Sequence, residues 1–196
     1  TNNEAYYDYF EYIFSDSITI TGDITPSYSG LQKSRLSSIY SEFQERGIGC
    51  KAVLLLRDPV DRIKSAVRYN LDRGNYDEGI KFGETGFLEA LEQYYKTEHC
   101  TIRTRYDDTI KIVREVFDEE DIYIGIYEEM FDSGKIDSVS NFVGVKAMYD
   151  FATVRVNKTK SPTIVNQEIE EKIKDFYSKV YEYCREEFPS TRDLWR

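Results

Sequence analysis

Lys51-Ala-Val-Leu-Leu-Leu56-Arg57-Asp58-Pro59-Val-Asp-Arg62-Ile-Lys-Ser65-Ala-Val-Arg68-Tyr69 is the stretch on which the fold turns. The run from Lys51 to Leu56 has no polar alternation. It predicts a strand buried on both faces, as in a parallel sheet. Arg57-Asp58-Pro59 ends it. Pro59 suits the first turn of a helix and Asp58 suits its cap, so a helix is expected to about Asp72.

Working outward, Gln32 to Arg46 repeats apolar residues at helical spacing, with Leu36, Ile39, Tyr40 and Phe43 on one face and Gly47 and Gly49 closing it. Before it, Ile18 to Thr21 is β-branched and predicts a strand, followed by a loop from Gly22 to Gly30 around Pro26. Ala5 to Phe14 predicts a helix packed by Tyr6, Tyr9, Phe10 and Ile13. A Tyr-rich face can line a binding cleft, but aromatics at this spacing usually serve a core. After the central stretch, helices are expected over 86–96 and 107–117. A strand is expected over 121–126 and a short helix near 136–142. Val154 and Val156 suggest an extended piece, and 167–188 reads as one long closing helix. Strands alternating with helices predict an α/β protein with a parallel sheet, organised as a single domain over 1–196.

The 196 residues carry 26 Lys+Arg against 36 Asp+Glu, a net charge of −10. That balance argues against a general nucleic-acid binder, which needs a basic footprint. No apolar run approaches the ~20 residues of a membrane span, and no signal peptide is visible. Cys50, Cys100 and Cys184 are widely spaced, which fits reduced thiols and a cytoplasmic setting better than a disulfide framework. With His99 as the sole histidine, a multi-histidine metal site is excluded. The charge is uneven. Residues 51–73 hold six basic and three acidic residues, and residues 151–167 hold Arg155, Lys158 and Lys160 with no acid. A small anion fits where two such islands meet, whereas a long polyanion is repelled by the rest. Chance clustering on a solvated surface is the competing reading.

Arg57 stands where a strand ends, and ligands of open α/β sheets bind beyond the carboxyl ends of strands. Arg57 can take a phosphate bidentately, and Ser65, two turns into the helix, can add a hydroxyl donor. Alternatively Arg57 pairs with a carboxylate and Ser65 only packs. The loop Thr21-Gly22-Asp23-Ile24-Thr25-Pro26-Ser27-Tyr28 also leaves a predicted strand end. Asp23 there is a candidate general base, with a turn or cap role as the alternative. His99, near a predicted helix end, reads as a surface or capping residue. Glu128 and Glu129 read as structural, orienting the sheet edge.

Gly-Asp-Ile-Thr-Pro-Ser-Tyr paired with Leu-Arg-Asp-Pro-Val-Asp-Arg-Ile-Lys-Ser resembles the sulfotransferase family, whose enzymes use 3′-phosphoadenosine 5′-phosphosulfate. The likeness is to the branch with heparan-sulfate-type and bacterial members, where the first motif usually reads Gly-Glu-Lys-Thr-Pro-x-Tyr. It continues through Arg105-Tyr106, through Ile122-Tyr-Ile-Gly-Ile-Tyr127-Glu128-Glu129-Met130, and into Val156-Asn157-Lys158. The resemblance implies a P-loop nucleotide-kinase-like three-layer sandwich with a central parallel sheet. It implies that Arg57 and Ser65 hold the 3′-phosphate, that Lys158 and Lys160 belong to a basic loop over the nucleotide, and that Tyr106 lies near cofactor or acceptor. The reaction implied is sulfuryl transfer to a hydroxyl or amine, releasing adenosine 3′,5′-bisphosphate without a metal. The acceptor class, whether small molecule, lipid or glycan, is left open.

The sequence departs from the family in three places. Ile24 replaces the usual Lys and Asp23 the usual Glu. The loop Asn157-Lys-Thr-Lys-Ser-Pro162 differs from the familiar Lys-Gly-Arg form. A phosphosulfate-binding loop of the Lys-x-Gly-Thr-Thr kind, expected to precede the first helix, is not within the 196 residues, so residues before Thr1 are expected to supply it. If none do, the chain is expected to be a non-catalytic nucleotide- or anion-binding module on the same fold. A nucleotide kinase is disfavoured, because no Walker-type Gly-x-x-x-x-Gly-Lys-Ser/Thr occurs.

Overall fold

The computed structural model describes residues 4–14, 17–154 and 166–195. The chain is mixed α/β and mostly helical. In order it forms α1 (Glu4–Ile13), α2 (Lys33–Glu45), β1 (Ala52–Leu56), α3 (Pro59–Arg73), β2 (Tyr76–Asp77), β3 (Ile80–Lys81), α4 (Phe87–Tyr94), α5 (Glu98–Ile102), α6 (Tyr106–Arg114), β4 (Ile122–Ile126), α7 (Ser133–Val143), α8 (Gln167–Phe176), α9 (Ser178–Glu187) and α10 (Thr191–Leu194). β1 and β4 pair in parallel as a two-stranded sheet, and β2 and β3 form an antiparallel hairpin.

Two compact units emerge. The first comprises residues 1–53 and 109–123. Its core is Tyr7, Phe10 and Phe43, with Tyr6, Ile13, Ile39, Ile48 and Cys50 packed around them. Tyr7 meets Phe43 edge-on at 5.1 Å between ring centres, a favoured aromatic geometry. The expected helix is present, but Tyr7 rather than Tyr9 carries its packing; Tyr9 is 59% exposed. The expected strand at Ile18 to Thr21 reduces to a single bridging residue, Ile18. Ile18 and Ile20 are exposed, so the β-branched pattern lacks the buried face that makes a strand pay back its ordering entropy.

The second unit comprises residues 54–108 and 124–196. Here α3 buries Val60, Ile63 and Val67 and packs on α4, on the 3₁₀ turn Phe82–Glu84 and on α8. Asp58 caps α3 by accepting from the Asp61 N–H at 3.1 Å, and Gly74 closes it at φ +60°, where a side chain would be strained. The β2–β3 hairpin turns through Glu78 (φ +45°) and Gly79 (φ +86°), the signature of a type I′ turn. It was hidden in the sequence because Glu occupies the place where Asn or Asp is usual. Glu78 reaches across to accept the His99 N–H at 2.9 Å, and Asp77 Oδ2 lies 2.6 Å from His99 Nδ1. The expected closing helix over 167–188 is broken at Tyr177, which leaves helical geometry (φ −101°, ψ 21°). Its ring is buried and its hydroxyl donates to the Tyr95 carbonyl at 2.6 Å.

One expectation about β1 changes. Its residues alternate in burial instead of being covered on both faces, and Val53 and Leu55 stand 45% and 46% exposed. A two-stranded sheet packed on one side buries every second residue. No helix among the described residues is long and apolar enough to cross a membrane.

Candidate functional site

The turn from β1 into α3 is tied down by residues far along the chain, all within the second unit. Glu128 follows β4 in a 3₁₀ turn, Tyr127–Glu129. Its Oε1 accepts the Asp58 N–H at 3.0 Å and its Oε2 accepts the Trp195 indole N–H at 3.1 Å. Tyr181 donates its hydroxyl to Asp58 Oδ1 at 3.1 Å. Tyr106, the first residue of α6, donates to the Arg57 carbonyl at 3.0 Å. Burial pushes the Tyr106 and Tyr181 phenols above their ordinary range and raises the Asp58 carboxyl. These hydroxyls therefore act as protonated donors, Tyr106 to the backbone of the turn and Tyr181 to the Asp58 side chain that caps α3.

The Arg57 guanidinium lies 4.9 Å over the Tyr127 ring, a cation–π contact. Its Nε is buried and has no hydrogen-bond partner among the described residues. Arg57 thus pairs with no carboxylate there, contrary to the structural alternative raised from the sequence. Ser65 is half-buried on α3, and its hydroxyl forms no hydrogen bond among the described residues. Arg62, in the same motif, is tied down through its Nη2, although its Nε too is buried without a partner among the described residues. It donates to the Cys100 carbonyl at 3.2 Å and to Thr104 Oγ1 at 2.5 Å. Lys64 is likewise committed, to Glu170 at 2.7 Å.

Asp23 belongs to the first unit. Its carboxylate accepts from Thr25 at 2.6 Å, from Tyr6 at 3.1 Å and from the Tyr28 hydroxyl. The Thr25 and Tyr28 hydrogen bonds hold its pKa below the usual carboxylate range. A general base works best with a pKa near the working pH, so this arrangement makes Asp23 a weak proton acceptor. The depressed pKa has a stability consequence. The ionised carboxylate favours the folded chain above the unfolded pKa near ~4, and that contribution is lost as pH falls through the lower folded value. Asp23→Asn is therefore expected to lose stability relative to wild type at pH 7 but to match it near pH 2. Thermal melts at both pH values check this; an equal gap at both would contradict it.

Of the residues singled out in the sequence, Arg57, Ser65 and Tyr106 lie in one unit, and Tyr106 bonds directly to the Arg57 backbone. Lys158 and Lys160 lie outside the described residues. Tyr181 and Trp195 were not found from the sequence. A lone Trp near the chain end was the only signal available for the second. Cys50, Cys100 and Cys184 are free thiols, and burial pushes Cys184 up to about 12, which leaves it unreactive. No cluster of metal-binding side chains occurs among the described residues. Comparison with protein-family models, with curated proteins and with solved structures finds no match to this chain.

Proposed function

We propose that the β1–α3 turn is the phosphate-binding end of a sulfotransferase-type nucleotide site. Its donor would be 3′-phosphoadenosine 5′-phosphosulfate and its product adenosine 3′,5′-bisphosphate. The observation that carries this reading is the orphaned, buried Arg57 Nε at the carboxyl end of a parallel strand. A buried donor with no partner is costly to leave unmade, and a phosphate oxygen satisfies it with a charge-assisted hydrogen bond. Ser65, with its hydroxyl uncommitted, supplies the second donor. Tyr106 and Glu128 keep the turn in the geometry that presents Arg57. We read β1, α3 and β4 as part of the P-loop nucleotide-kinase-like sandwich that this function uses.

Bound there, the donor supplies a sulfuryl group that passes to an acceptor oxygen or nitrogen as the bond to the 5′-phosphate breaks. The acceptor's proton goes to a base. Asp23, the base assigned from the sequence, is poorly tuned for that role. That specific observation favours the second reading, a nucleotide- or anion-binding module without catalysis. Both readings share the Arg57 site and differ in turnover.

Calorimetric titration of adenosine 3′,5′-bisphosphate into wild type and Arg57→Ala tests the shared part. Losing one member of a desolvated charge pair costs about 2 kcal/mol or more, so affinity is expected to fall by roughly 30-fold or more. Equal affinity in the two proteins would overturn the assignment. Transfer of labelled sulfate to any hydroxyl or amine acceptor then separates the enzyme from the module.

A further inference from the structure

We infer that Arg68 is a second cationic contact for the same phosphate, making the site selective for a doubly charged phosphate monoester. This rests on the reading of the Arg57 turn as a phosphate site. It starts from an accounting of the basic residues of α3 and its entry turn. Arg62 is held by Cys100 and Thr104, Lys64 by Glu170, and Arg73 lies 3.7 Å over the Tyr69 ring. Arg62 Nε is also buried without a partner, but its Nη2 is held; Arg68 differs in having no polar partner for any of its nitrogens among the described residues. It is half-buried, its Nη1 is fully buried, and it engages no carboxylate, carbonyl or ring among the described residues.

Its position connects it to the proposed site. Residues three apart on a helix share a face, so Arg68 follows Ser65 one turn along α3, about 4.5 Å further down the axis. That face is opposite to the apolar one formed by Val60, Ile63 and Val67. Arg57 Nε, the Ser65 hydroxyl and Arg68 Nη1 are thus three uncommitted donors on one strand–helix unit. Asp61 and Asp72 share the face. A buried guanidinium nitrogen left without a hydrogen-bond partner lowers the stability of the unliganded chain, and an anion that reaches it relieves that penalty.

The chemistry also sets the charge of the ligand. A phosphate monoester has its second pKa near ~6 and carries close to two charges at neutral pH. Two guanidinium groups match it. One would suffice for a sulfate ester or a phosphodiester, each with a single charge. Arg68 would then distinguish the terminal 3′-phosphate from singly charged groups.

The test uses the full 196-residue chain, with adenosine 3′,5′-bisphosphate as probe, in wild type, Arg57→Ala, Arg68→Met and Arg68→Lys. Arg68→Met is expected to weaken binding by roughly tenfold or more, with Arg68→Lys in between, because an ammonium keeps charge but loses the planar fork. Without ligand, Arg68→Met is expected to melt at the same temperature as wild type or higher. Wild-type affinity is expected to rise between pH 5 and pH 7.5 as the phosphate loses its second proton, and to rise less in Arg68→Met. If Arg57→Ala weakens binding while Arg68→Met does not, Arg68 is no contact and the inference fails with the site intact. If Arg68→Met lowers the melting temperature of the free protein by several degrees, Arg68 is a packing residue and the inference also fails. If Arg57→Ala has no effect, the reading of the turn itself fails.

Discussion

Trp195→Ala is expected to cost about 3–5 kcal/mol of stability, the usual range for deleting a large buried aromatic. Trp195 is fully buried, with ring centres 6.2 Å from Tyr106 and 6.1 Å from Tyr181. Its removal opens a cavity between the two tyrosines whose hydroxyls hold the Arg57 carbonyl and the Asp58 side chain. It also strips one donor from Glu128, the carboxylate that binds the Asp58 N–H. For a chain of this length the melting temperature should fall by about 10 °C. Trp195→Phe keeps much of the packing and loses the indole hydrogen bond, so it should fall between wild type and Trp195→Ala. Circular dichroism is the right readout, because this is the single tryptophan and its fluorescence goes with it. A loss below about 1 kcal/mol in Trp195→Ala would contradict the packing described here. Because the same residues frame the turn, phosphate affinity should fall along with stability.

Lys64→Met carries the second large effect. Lys64 is almost fully buried and its ammonium sits 2.7 Å from Glu170 Oε1, which joins α3 to α8. Removing one partner of such a pair strands the other charge, at a cost of about 3 kcal/mol. The Glu170 side chain keeps some access to solvent, 18%, which places the loss at the lower end of the range. Replacing both residues with methionine removes the stranded charge as well as the pair. The double variant should therefore be clearly more stable than Lys64→Met alone. Chemical denaturation of the two single variants and the double variant measures the coupling. Strictly additive losses would mean that the two groups do not interact.

The sequence and the structure agree where chemistry is local. Asp58 as cap and Pro59 in the first turn are features within one helix. They predicted α3 nearly to the residue. The end of β1 at Arg57 was legible for the same reason. What holds that turn was not legible, because its partners are distant in sequence. Glu128, Tyr181 and Trp195 lie 67 to 123 positions from the groups they bind. No periodicity links residues at such separations. The break at Tyr177 escaped because its cause is tertiary, a phenol reaching the Tyr95 carbonyl. The exposure of Val53 and Leu55 escaped because an apolar run states a preference and does not say how many neighbouring strands will cover it. Arg68 looked like ordinary solvated charge in the sequence. Only its lack of partners among the described residues, set against the partners of Arg62, Lys64 and Arg73, separates it from them. Asp23 marks the reverse case: the motif singled it out, and the three hydroxyls around it weaken the role the motif suggested.

The central claim is that the turn between β1 and α3 holds a nucleotide's phosphate. A crystal structure of the chain with adenosine 3′,5′-bisphosphate tests it most directly. The expected result is a phosphate within hydrogen-bond distance of the Arg57 guanidinium and the Ser65 hydroxyl, with Arg68 as a further contact. A nucleotide bound with its phosphates elsewhere, and with Arg57 Nε still without a partner, would contradict it.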